Sequence, residues 1–155
     1  MDEWKKNRIL SALNGTNPTV LLKMKSGFAV LGDTQFLPGY CVLIAYPKVS
    51  CLNDLSMSQR SDFLLDMSIL GDAVFSVCKP LKINYEILVN AETFLHAHIF
   101  PRYEWESDER RKKPVWLYPR ENWNLPEYQF SQEKHGILKQ QITDELKEIT
   151  GKFYK

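Results

Sequence analysis

Cysteine is scarce and unpatterned in this chain. Cys41, Cys51 and Cys78 are odd in number and show no Cys-x-x-Cys spacing, which argues against a disulfide framework or a thiolate zinc site and fits reduced core thiols. No charge of one sign dominates either. The 20 Lys and Arg side chains nearly cancel the 19 Asp and Glu, so the net basic excess of a dedicated nucleic-acid or membrane binder is missing. Neither nucleic acid nor membrane is expected as a partner, and a small-molecule ligand is. Long apolar runs are also absent. The charged opening Met1–Lys6 leads into no such run, so neither a secretory signal nor a membrane span is expected, and the expected location is the cytoplasm. No internal repeat or low-complexity segment occurs. What remains, 44% hydrophobic and 25% charged residues over 155 positions, is the composition of one globular domain covering residues 1–155 with one buried core.

Periodicity places the elements. Residues 2–13 have a mixed, helical pattern that ends near Asn14-Gly15, and residues 1–19 look like an appendage to the core. Two apolar runs, residues 20–22 and 28–31, flank Lys25-Ser26-Gly27 and predict a hairpin. After the turn dipeptide Pro38-Gly39, residues 40–46 are too uniformly apolar for a strand with one wet face, and predict a central one. Ser56 to Gln59 offer a capping box for an amphipathic helix carrying Phe63, Met67, Leu70, Val74 and Val77, which stops at Lys79-Pro80. Ile83, Tyr85, Ile87 and Val89 alternate as a strand does, before a turn around Asn90. Ser131 caps a last helix, residues 131–155, with the stripe Leu138, Ile142, Leu146, Ile149 and Phe153. Antiparallel-looking strands with helices between and after them indicate an α+β domain.

Thr93 to Arg102 carry the chemistry. In a strand, Leu95, Ala97 and Ile99 face one way and Phe94, His96, His98 and Phe100 the other. Two of the chain's three histidines therefore lie side by side opposite a core face. On the pair alone, two half-exposed histidines on a sheet explain this as well as a site does. A metal centre gains no support, because the cysteines are scattered and no third histidine or Glu-x-x-His completes a ligand set.

His96-Ala97-His98-Ile99-Phe100-Pro101-Arg102 resembles the end of the histidine triad signature, His-x-His-x-His followed by apolar residues and often Pro-Arg. Upstream, Leu31-Gly32-Asp33 through Pro38-Gly39 to Ile44 is similar to the first half of that family. Asn84 to Leu88 and Val115 to Pro119 resemble a bacterial branch often labelled diadenosine tetraphosphate hydrolase-like. The likeness runs over roughly residues 20–123 as ordered motifs. It implies a histidine triad fold, a twisted antiparallel sheet backed by helices, commonly paired as a homodimer. It further implies hydrolysis or transfer at the α-phosphate of dinucleoside polyphosphates or nucleoside phosphoramidates, through a nucleotidyl-histidine.

Residue by residue, the resemblance makes His96 the nucleophile, its second ring nitrogen donating to the backbone carbonyl of Phe94. It makes His98 a donor near the phosphate and leaving group. Asn90 corresponds to a phosphate contact and Asp33 to a ribose contact, although both are also ordinary turn residues. No cofactor is required; a divalent cation such as magnesium is expected only as a companion of the substrate. The sequence departs from the family at Phe94, where the first triad histidine stands, and at Tyr40, where many members have histidine after Pro-Gly. Two readings stay open: Phe94 supplies the carbonyl and catalysis survives, or the chain is a weak or inactive nucleotide-binding or sensing protein of the same fold. Arg110 to Lys113 fit a flap over polyphosphate or a solvated loop. Trp105, Trp116 and Trp123 are expected to pack over a core edge, and His135 to lie on the surface.

Overall fold

The computed structural model describes residues 2–154; Met1 and Lys155, the ends of the expected domain, lie outside them. Five strands form one sheet in the order β1-β2-β3-β5-β4: β1 Val20–Lys23, β2 Gly27–Leu31, β3 Cys41–Ala45, β4 Lys82–Glu86 and β5 His96–Arg102. Every neighbouring pair is antiparallel. The expected hairpin is β1–β2, and the uniformly apolar run is the central strand β3. Gly27 is required where β2 meets β3, because a Cβ there would stand 1.9 Å from the Ile44 carbonyl oxygen.

One face of the sheet is covered by two long helices, α3 (Met57–Cys78) and α6 (Gln132–Phe153), which also pack on each other. Ser56 and Gln59 close the expected capping box at the start of α3. Phe63, Leu70 and Val74 are fully buried against Leu43, Ala97 and Ile99 of the sheet, with Ile142 and Leu146 of α6 completing this core. The odd-numbered residues of β5 are thus the core face that the alternation predicts. Cys41 is buried in this core, Cys51 and Cys78 are half-buried, and all three are free thiols.

The other face carries Phe28, Val30, Val42, Ile44, His96, His98 and Phe100 and is covered by irregular chain rather than long helices. From one end it receives the short helices α1 (Glu3–Lys6) and α2 (Arg8–Leu13), from the other the segment following β5, with α4 (Asp108–Arg111) and α5 (Arg120–Asn124).

Several expectations are corrected in detail. The N-terminal helix is broken at Asn7, whose backbone is extended and whose side chain accepts the Leu10 N–H; local capping competes with continuation there. Nor is the segment only an appendage, since Ala12 packs on Phe28, Val30 and Ile44. The strand expected over residues 83–89 ends at Glu86, and Val89 has a positive φ of 51°. Ile87 and Val89 still pack on the core, so their alternation reflects burial without strand pairing. Phe153 is 60% exposed and lies off the buried stripe. His135 is half-buried, its Nδ1 accepting the Ser131 N–H at 3.1 Å and its ring stacked on Phe130.

Candidate active site

A cavity of about 360 Å³ opens on the irregular side of the sheet, within the range of small-ligand sites. Val30, Val42 and Ile44 supply an aliphatic floor, His96 and His98 lie beside them, and Trp116 and Trp123 form a wall. Strand register explains the arrangement. His96 pairs across β3 with Ile44, and His98 pairs with Val42 on one side and Glu86 on the other.

His96 is 7% exposed, with Nδ1 2.8 Å from the carbonyl oxygen of Phe94. A carbonyl only accepts, so Nδ1 donates its proton and Nε2 keeps a free lone pair. Phe94 can offer that oxygen because it lies just ahead of the paired strand. Its ring tilts against His96 at 5.3 Å and lines the cavity.

His98 has the opposite arrangement. Its Nδ1 lies 2.7 Å from the Tyr40 hydroxyl. Burial raises the Tyr40 pKa, reinforced by the nearby Asp33 carboxylate, so the hydroxyl keeps its proton and donates it to Nδ1. Burial, and secondarily His96, pull the His98 pKa down to about 4. The neutral ring, accepting at Nδ1, carries its proton on Nε2. Two histidines two residues apart on the same face thus offer a lone pair and an N–H. Gly32 makes the Tyr40 placement possible, since the Tyr40 ring passes 2.2 Å from where a Cβ on Gly32 would stand.

The structure brings together His96, His98, Phe94 and Asp33 among the residues singled out from the sequence. Asp33 lines the cavity with both carboxylate oxygens held by Arg8, at 2.9 and 2.5 Å. Asn90 is exposed and outside the cavity lining. Trp116 and Trp123 do pack, stacking on each other at 4.8 Å and edge-on to Phe100, but they also line the cavity. Trp105 is 61% exposed and stacks on Tyr103 away from it. None of Arg110 to Lys113 is among the residues lining the cavity; Arg111 and Lys113 pair with Asp108 and Glu109.

Tyr40, Arg8 and Arg102 were not singled out as site or positioning residues. Arg102 continues the period-two row of His96, His98 and Phe100, so alternation alone would have found it. No sequence signal connects Arg8 to Asp33, 25 positions away. Among the described residues no group of three or more His, Cys, Asp or Glu is placed to hold a metal ion. Among them, too, no helix is long and apolar enough to cross a membrane.

No protein-family model and no curated protein matches the chain. Solved structures match it over most of its length. A histidine triad protein from Marinobacter aquaeolei VT8 is 19% identical, with a TM-score of 0.69 over 83% of this chain and 88% of that one. A hypothetical histidine triad nucleotide-binding protein from Sulfolobus tokodaii is 13% identical, with a TM-score of 0.68 over 92% and 93%. The diadenosine triphosphate hydrolase of Plasmodium falciparum is 16% identical, with a TM-score of 0.60 over 84% and 77%. The fold is that of the histidine triad proteins. The expected antiparallel sheet with helices packed on it is present, built of five strands.

Proposed function

We propose that the protein is a hydrolase or transferase acting at the α-phosphate of a nucleotide, with His96 as nucleophile. The observation that carries this is the pair of hydrogen bonds, one to each histidine's Nδ1, that assigns the two rings opposite tautomers. His96 Nε2 is free because its Nδ1 is bonded to the Phe94 carbonyl, and His98 Nε2–H stands beside it because Tyr40 occupies its Nδ1.

In the first step His96 Nε2 attacks the α-phosphorus. The bond from phosphorus to the leaving phosphate oxygen, or to the amine nitrogen of a phosphoramidate, breaks as the phosphorus–nitrogen bond forms. His98 stays neutral and donates a hydrogen bond to the leaving oxygen on which charge develops; a phosphoramidate nitrogen takes up a proton from solvent before the bond breaks and leaves as the free amine. Water then attacks the nucleotidyl-histidine, its proton passing to solvent, which releases the nucleoside monophosphate and restores His96 with its Nε2 lone pair. The floor of Val30, Val42 and Ile44 suits a nucleobase, and Asp33 with Arg8 meets the ribose end. Asn90, exposed and outside the cavity, has no part in this reading. A polyphosphate substrate would bring its own divalent cation, such as magnesium. The homodimer implied by the resemblance belongs to the proposal and is checked by sedimentation.

A second reading, a nucleotide-binding or sensing protein that does not turn over, is favoured by Phe94 standing where a first triad histidine would. The test is a single-turnover reaction with α-labelled diadenosine tetraphosphate and with an adenosine phosphoramidate, quenched without acid. The expected result is label retained on the wild-type chain, none on His96→Ala, and AMP released with time. Nucleotide binding with neither label nor AMP would overturn the enzymatic reading in favour of the second.

A further inference from the structure

Arg102 is the largest fully buried side chain in the molecule, 1% exposed, on the same face of β5 as the two histidines. All its N–H donors are used. Nε and Nη2 reach the carboxylate of Glu106 at 3.1 to 3.2 Å. Nη1 donates to Asn84 Oδ1 and to the Lys113 carbonyl, each at 2.8 Å, and Nη2 to the Arg110 carbonyl at 2.6 Å. Glu106, 4% exposed, also accepts the Tyr103 N–H and the Tyr118 hydroxyl, each at 2.6 Å. One guanidinium and its carboxylate therefore hold the segment from Tyr103 to Tyr118 at several separated points.

A buried ion pair is a weak stabiliser relative to apolar side chains of similar volume, so its consequence is better sought in what the segment delivers. It delivers Trp116. The indole meets the His98 ring edge-on at 4.9 Å, stacks on Trp123, and donates its N–H to Glu86, the residue opposite His98 on β4.

We propose that Arg102 is a positioning residue for His98: from beneath, it fastens the strap of residues 103–118 and thereby holds Trp116 against the His98 ring. Tyr40 covers His98 from the other side, at a ring separation of 6.0 Å. His98 is half-buried and lines the cavity beside Trp116. The titratable groups facing it are His96 on its own strand, Tyr40 ahead of β3, and Glu86 on β4; Asp33, Arg8 and Glu92 stand elsewhere in the cavity lining. Removing the Trp116 cover hydrates His98 and eases its protonation, which would compromise the neutral donor used in the proposed reaction. That last consequence rests on the proposed function; the positioning itself does not.

The test is an NMR titration of the full chain, whose three histidines give few and separable ring signals. In Arg102→Lys, the His98 midpoint is expected to rise by about one pH unit or more toward the free-histidine value. That of His135 should move by less than about 0.3. Trp116→Ala should give a similar rise, and the double variant no further rise, because both act through one contact. Should Arg102→Lys fail to fold, Tyr118→Phe removes a single hydrogen bond of the network and should move His98 the same way by a smaller amount. A folded Arg102→Lys, or Tyr118→Phe in its place, with lowered Tm and an unmoved His98 midpoint makes the network merely structural and overturns the proposal. So does an unmoved midpoint in Trp116→Ala. If wild type turns substrate over, the acid limb of the pH–rate profile should shift in the variants along with the His98 NMR midpoint. If it turns nothing over, the proposed reaction fails while the NMR result still decides the positioning role.

Discussion

The two faces of the sheet are built on opposite plans. On one, Leu43, Ala97 and Ile99 meet Phe63, Leu70, Val74, Ile142 and Leu146 from two long helices in an apolar cluster. On the other, the same strands present histidines beneath aromatic rings and short segments from both sides of the fold. The first face is held by close packing of interchangeable hydrophobes. The second is held by directed bonds: Phe94 to His96, Tyr40 to His98, Arg8 to Asp33, Arg102 to Glu106. Stability therefore concentrates on one face and chemistry on the other, with β5 contributing to both by simple alternation.

The largest effect should come from the chemical face alone. His96→Ala is expected to lower single-turnover nucleotidyl transfer by about a thousand-fold or more, with Tm nearly unchanged. An equal loss of Tm would break the separation between the faces. The complementary substitution, Leu43→Ala, should destabilise the fold by about 2–5 kcal/mol in urea unfolding, through lost transfer energy and a residual cavity. The rate per folded molecule should stay within about two-fold, since the side chain is 0% exposed and points away from the histidines.

Acid should act selectively on the chemical face. His98 takes up a proton near pH 6.5 when unfolded but only near about 4 when folded. Between these values the unfolded chain holds more protons, so this contribution is complete above pH 6.5 and is lost as pH falls to 4. It amounts to roughly 3 kcal/mol. Unfolding measured at pH 7 and 4.5 should show a steeper decline for wild type than for His98→Gln; equal slopes would show that His98 is not held neutral.

The smallest effect is the sharpest for mechanism. Phe94→His introduces an imidazole but leaves the backbone carbonyl that His96 already uses, so turnover should change by less than about ten-fold, or about 1.4 kcal/mol. A larger gain would show that the side chain, and not the carbonyl, was the missing part.

Much of this was legible beforehand. Period-two alternation assigned Ala97 and Ile99 to the core and the histidines to the other face, and the Ser56 and Gln59 spacing marked the start of α3. The bond from His96 to the Phe94 carbonyl was expected only from the resemblance to the histidine triad proteins, and the structure has it at 2.8 Å. The limits were equally physical. Alternation at Ile87 and Val89 signalled burial where no strand partner exists, and Asn7 broke a helix by a local bond that competes with propagation.

The sequence by itself determined what short spacing encodes: most of the elements, and the core faces of β5 and the long helices. Tertiary structure alone decided the rest: that Tyr40, 58 positions away, sets the His98 tautomer, that Arg8 grips Asp33, and that Arg102 fastens the strap bearing Trp116. Those bonds join segments whose separation along the chain carries no period, so only folding, which brings their donors and acceptors within about 3 Å, defines them.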